Sequence, residues 1–125
     1  MYVRTWFEIP TLDINRAQAF YENIFKIKMV NMDMANLKMR VFPIDERGNQ
    51  APGAIVLNEK FYRPTGDGGV LVYLNTGNDL GLILASVEAS GGSIMIGKTQ
   101  ISEKLGFMAV IFDTEGNRIG LRSDY

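Results

Sequence analysis

The chain has no cysteine and no histidine in its 125 residues. The first absence removes a disulfide framework, a thiolate metal centre and a cysteine nucleophile. The second removes the commonest metal ligand and the side chain that most often moves protons near neutral pH. A serine triad goes with it. Charge of one sign is missing too: 13 basic side chains face 14 acidic ones, for a net charge of −1. A nucleic-acid partner, which wants a basic footprint, is therefore not expected. No apolar run approaches the roughly 20 residues that cross a bilayer, so no membrane partner is expected either. The opening MYVRTWFEIP lacks the basic and long apolar regions of a secretory leader. The stretch GDGG has neither the lysine nor the following helix of a phosphate-cradling loop. These absences point to a soluble, cytoplasmic protein.

What is present reads as strands and amphipathic helices. Val3 to Ile9 alternate with period two. Pro10 ends that strand and Asp13 is placed to cap a helix. Ile14, Ala17, Phe20, Tyr21, Ile24 and Phe25 then form one apolar stripe. KIKMVNMDM and LKMRVFPI read as short strands about a turn at Ala35-Asn36, DERGNQAPG as a loop and GAIVLN as a fourth strand. The same order returns: GGVLVYLNT, a helix capped by Asn78 or Asp79 and stopped by Gly91-Gly92, then SIMIGKTQIS, GFMAVIFD and RIGLRS. The expected class is α+β, two β-α-β-β-β repeats with a period of roughly 65 residues. The repeats span 1–58 and 69–125 within one domain and are joined by a linker over 59–68. Phe61 and Tyr62 in that linker either pad the outside of the sheet or form a lid over a pocket mouth.

Three stretches resemble the vicinal-oxygen-chelate superfamily, the glyoxalase/bleomycin-resistance/dioxygenase group. WFEIPTLDINRAQAFYENIF is similar to its first strand and helix. ILASVEASGGSIM is similar to its second helix and the following strand. FDTEGNRIGLRS is similar to its closing hairpin, with Thr114 where proline is common. Within the group the chain looks most like bacterial proteins described as related to lactoylglutathione lyase. The resemblance implies that each repeat forms a curled mixed sheet and that the two enclose a cleft. Phe7 and Ile9 would then pack on the helices while Trp6 and Glu8 face the cleft. The same alternation turns Ala54, Val56 and Asn58 inward, followed by Val70, Val72 and Leu74, and by Arg118, Gly120 and Arg122. Arg40 joins them only if its parity is inward.

In metal-dependent members, one cleft residue from each of four strands holds a divalent ion. The matching positions here are Trp6, Val56, Val70 and Gly120, none with a side-chain ligand atom. The resemblance thus implies binding of a small organic molecule, amphiphilic or anionic, without metal or other cofactor. Glyoxalase I and extradiol dioxygenase chemistry are not expected. A carboxylate-only site at Asp113 and Glu115 stays open, although both read as ordinary surface turn residues. Trp6 fills either core or the floor of a ligand pocket. Glu8 acts either as the general base of a metal-independent lyase or isomerase, or as the ion-pair partner of Arg118 or Arg122. Tyr62 completes the expected ligand-binding set. The methionines Met29, Met32, Met34 and Met39 read as core and dimer packing, and a homodimer is expected.

Overall fold

The structure is a computed structural model that describes residues 5–44 and 52–125. Residues 45–51 of the expected loop DERGNQAPG and the start of the expected first strand lie outside the described residues. The observed elements are β1 (Phe7–Pro10), α1 (Ile14–Phe25), β2 (Val30–Asn31), β3 (Lys38–Val41) and β4 (Gly53–Leu57). They are followed by β5 (Val72–Asn75), α2 (Leu80–Val87), β6 (Ser93–Ser102), β7 (Gly106–Phe112) and β8 (Arg118–Ser123). Each half builds a four-stranded sheet in the same spatial order, β1-β4-β3-β2 and β5-β8-β7-β6. The first and last strands of each half run parallel and the other pairs antiparallel. The fold is α+β, with two separate mixed sheets that do not close into a barrel.

Local chemistry accounts for the helix limits. The Asp13 carboxylate accepts the Arg16 N–H at 3.0 Å, a cap that stabilises α1 by about 1 kcal/mol. Lys26 ends the helix in the left-handed region (φ 57°), with the Ile27 N–H closing on the Glu22 carbonyl. Asp79 caps α2 through the Gly81 N–H at 2.8 Å. The apolar stripes face one continuous core between the helices and one face of each sheet. Phe20, Tyr21, Ile55, Leu80, Ile111 and Leu121 lie there with almost no exposure. Because this cluster draws on both halves, neither half buries its helix alone.

The closing turn joins the halves, and here the expectation fails. Asp113 and Glu115 are 4 % and 6 % exposed, not surface turn residues. The Asp113 carboxylate accepts the Tyr21 hydroxyl at 2.6 Å, the Asn117 side-chain amide at 3.0 Å, and the backbone N–H groups of Glu115 and Asn117 at 2.9 Å each. Glu115 accepts the N–H groups of Leu12 and Asp13 at 2.9 and 2.8 Å, and Arg16 Nε at 2.8 Å. The turn therefore supplies the anion at the N-terminus of a helix that belongs to the other half. Burial pushes the Glu115 carboxyl up, but the hydrogen bonds from Arg16, Asp13, Leu12 and Thr114 outweigh it and hold it at about 2. For Asp113 burial wins over its hydrogen bonds and raises the carboxyl above its ordinary value.

Candidate functional site

Register assigns the face that each sheet turns away from the helices. In the first sheet Glu8 stands beside Ala54, and Met39 and Val41 oppose Val56 and Ala54. Phe7, Ile9 and Ile55 take the helix side, as the alternation predicts. Arg40 pairs with Ile55 and so also lies on the helix side. There its Nε donates to Gln18 at 2.9 Å and its guanidinium meets Asp33 at 2.9 Å. In the second sheet Arg118, Gly120 and Arg122 share the inner face with Phe112, Val110 and Met108.

The fifth strand is shifted by one residue from the expectation. Val72 and Leu74 pair with Ile119 and Leu121 and so turn toward the helices, while Tyr73 and Asn75 pair with Gly120 and Arg122 on the inner face. Sequence reading missed Tyr73 and Asn75. The polar Asn75, alternating with Leu74, carried the signal. Gly120 is required by this arrangement: a Cβ at that position would lie 2.5 Å from the Tyr73 ring, well inside contact distance. Tyr73 thus occupies the inner face over Gly120.

Tyr62 does the same in the first sheet. It packs on the cluster of Met39, Val41, Ala54 and Val56, and its hydroxyl donates to a Glu8 oxygen. Of the two placements open to the linker aromatics, Tyr62 takes the inner one. Phe61 stays 77 % exposed, edge-on to the Tyr62 ring at 5.0 Å. The other Glu8 oxygen accepts the Trp6 indole N–H at 3.2 Å. Burial, then the bond to Glu8, raises the Tyr62 phenol well above its ordinary value, so it remains a donor at neutral pH. Among the described residues neither Arg118 nor Arg122 pairs with Glu8; Arg122 meets Asp124 at 3.1 Å. The ion pair expected for Glu8 is replaced by these two neutral donors.

A cavity of about 950 Å³ opens at the seam between β1 and β5. Among the described residues its apolar wall comes from both halves: Trp6, Phe7, Phe25 and Phe42 from one, Tyr73, Leu74 and Ile83 from the other. Asn75, Thr76 and Asn78 give it a polar end. A smaller hollow of about 180 Å³ touches Glu8, Pro10, Asn117 and Arg118, and Val70 and Val72 line both spaces. Of the expected site residues, Trp6, Glu8, Val70, Val72 and Arg118 thus meet at the seam. Trp6, 48 % exposed, stands at its wall rather than forming a buried floor. The others lie elsewhere. Val56 is fully covered, Asn58 uses its carbonyl to start the turn into Tyr62, Gly120 lies under Tyr73, and Arg122 is ion-paired. Inward-facing positions were legible outside the fifth strand, and Tyr62 was among the expected site residues; Tyr73 was not.

No group of three or more acidic residues able to hold a metal ion occurs among the described residues. No helix among them is long and apolar enough to cross a membrane.

Comparison with known proteins agrees with this architecture. No functionally curated protein matches the chain. Among solved structures, a hypothetical protein from S. aureus superposes with a TM-score of 0.70 at 18 % identity, covering 98 % of this chain and 95 % of that one. TnmS3, an antibiotic binding protein from Streptomyces sp. CB03234, gives 0.67 at 19 %, covering 98 % and 96 %. A glyoxalase I mutant from Zea mays gives 0.69 at 18 %, covering 96 % of this chain but 46 % of the plant protein. These likenesses carry the fold. The Glyoxalase/Bleomycin resistance protein/Dioxygenase superfamily profile matches residues 4–121, nearly the whole chain, and the protein belongs to that superfamily.

Proposed function

We propose that the protein binds a small organic molecule, amphiphilic or anionic, in the seam between its halves, without a metal ion. The seam cavity carries this reading. Its volume of about 950 Å³ falls in the range of ligand pockets, roughly 300–1,000 Å³, and its aromatic wall with polar groups at one end is the usual composition of such a site. The structural likeness to an antibiotic binding protein supports the same class of ligand. The donor set supports the absence of a metal. Trp6, Val56 and Gly120 offer no side-chain ligand atom at three of the four positions where the resemblance places an ion, and the shift of β5 leaves Val70 off the inner face. Glu8, on the inner face of the first sheet beside Ala54, is already engaged by Trp6 and Tyr62.

Thermal-shift measurement against amphiphilic aromatic compounds tests the binding. A ligand at 100 times its Kd adds about 2.7 kcal/mol, a rise of roughly 10 °C for a domain of this size. The shift should vanish in Val72→Trp, which fills the seam. A panel without any shift defeats the proposal, as does stoichiometric transition metal in the purified protein. The lyase or isomerase alternative keeps Glu8 as base, and its oxygens must first be released by Trp6 and Tyr62. Turnover surviving Glu8→Gln removes that alternative. We also propose a cytoplasmic homodimer. The exposed edge strand β6, with Ile94, Met95 and Ile96 uncovered, supports the pairing, and light scattering of a monomer at micromolar concentration refutes it.

A further inference from the structure

We propose a second ligand site on the inner face of the first sheet, selective for phenols and closed by Tyr62 acting as a tethered stand-in for the ligand. Three observations converge on it. The patch formed by Met39, Val41, Ala54 and Val56 is separate from the main core, and it does not line the seam cavity. Its cover includes Tyr62, which comes from the connection between β4 and β5 and not from a helix or strand. The cover is hinged on a single turn in which the Asn58 carbonyl accepts the N–H groups of Phe61 and Tyr62 at 3.0 and 3.1 Å.

The third observation sets the chemistry. The seat is apolar beneath the ring and has one strong acceptor at the far end, the Glu8 carboxylate, which takes the phenolic O–H. Trp6 N–H holds the other carboxylate oxygen at 3.2 Å, so the acceptor is oriented before any ligand arrives. A free aryl alcohol can make the same contacts as the Tyr62 side chain. An aromatic hydrocarbon fills the seat but leaves a partly buried carboxylate oxygen without its donor, which is unfavourable. A phenol enters by displacing Tyr62, whose tether gives it a high local concentration. Binding to the unaltered protein is therefore weaker than to a protein without that ring.

The test uses 4-methylphenol, the tyrosine side chain beyond Cα, and toluene as its counterpart without the hydroxyl. Emission of Trp6, the single tryptophan, reports on the neighbouring carboxylate. In Tyr62→Ala, 4-methylphenol should change the emission saturably, binding about tenfold or more tighter than toluene. Tyr62→Ala/Glu8→Gln should lose most of that preference. The unaltered protein should bind 4-methylphenol more weakly than Tyr62→Ala. Tyr62→Phe keeps the ring and loses only the bond to Glu8, so it should fall between the two. That variant decides the matter if Tyr62→Ala does not fold. The proposal is overturned by no saturable response in Tyr62→Ala, by equal affinity for toluene, or by Tyr62→Phe binding no better than the unaltered protein. A seam ligand found by thermal shift would stand through any of these results, because Trp6 is the one side chain the two sites share and neither Tyr62 nor Glu8 lines the seam cavity.

Discussion

Replacing Glu115 by glutamine tests how the two halves are held together. The carboxylate side chain is fully shielded from solvent, while its partner Arg16 is half exposed. Its oxygens collect two backbone N–H groups, the Arg16 guanidinium and the Thr114 hydroxyl. A glutamine keeps one acceptor for the helix N-terminus but sets an amide N–H against a second donor. Holding a carboxyl at about 2 instead of about 4.5 corresponds to roughly 3 kcal/mol at neutral pH. For a chain of this length that is a fall in Tm of about 10–15 °C. The folded-state value lies below the unfolded one, so the contribution is complete above about 4.5 and is lost as pH falls toward about 2. Asp113, raised in the folded state, has the opposite sign: acidification relieves its burial. It is present in both proteins and cancels in the comparison. Urea unfolding followed by circular dichroism should show Glu115→Gln less stable by about 3 kcal/mol at pH 7 and by about half that at pH 3. A difference that does not narrow between those two values refutes the assignment of the stabilisation to this carboxylate.

Tyr21→Phe removes one of four donors to a buried carboxylate and should cost about 1–3 kcal/mol in the same unfolding assay. Gly120→Ala drives a Cβ into the Tyr73 ring; the loss in stability should exceed 1 kcal/mol, on the order of other overpacking changes, and should be relieved in Gly120→Ala/Tyr73→Ala. Asp13→Ala should lower stability by about 1 kcal/mol through loss of the α1 cap, read as a drop of a few degrees in Tm. Incubation with a chelator should leave the Tm unchanged.

The fold was readable because its signals are periodic. The α1 stripe and the alternation of β1, β4 and β8 each specify a buried face, and the repeated order of elements fixed the architecture. The fifth strand failed because Val70 to Leu74 is apolar at both parities, so alternation alone does not choose its face. Its observed start at Val72 and its pairing with Ile119 reverse the assignment. Asp113 and Glu115 were misread because turn composition is the same for exposed and buried turns; the deciding contacts, with Tyr21 and Leu12, lie about a hundred residues away in sequence. Apart from the fifth strand, the site was legible to the level of which side chains face inward, and Tyr62 was among its expected residues. The seat that Tyr62 takes against Met39, Val41, Ala54 and Val56, with its hydroxyl on Glu8, was not, because Tyr62 comes from an irregular segment whose path no local propensity determines.

The bonds from Glu115 to the start of α1 also bear on the order of events during synthesis. The first helix emerges from the ribosome early, yet the acceptor for its leading amides is made about a hundred residues later. At about 5–20 residues per second the nascent helix waits for seconds with those groups exposed to water, and its apolar stripe lacks Ile111 and Leu121. Closing this contact brings together residues 102 apart in sequence, and the entropy of closing so long a loop is lost before the contact forms. Docking of the first helix on the second half is thus a late event that requires the closing turn to be free of the tunnel.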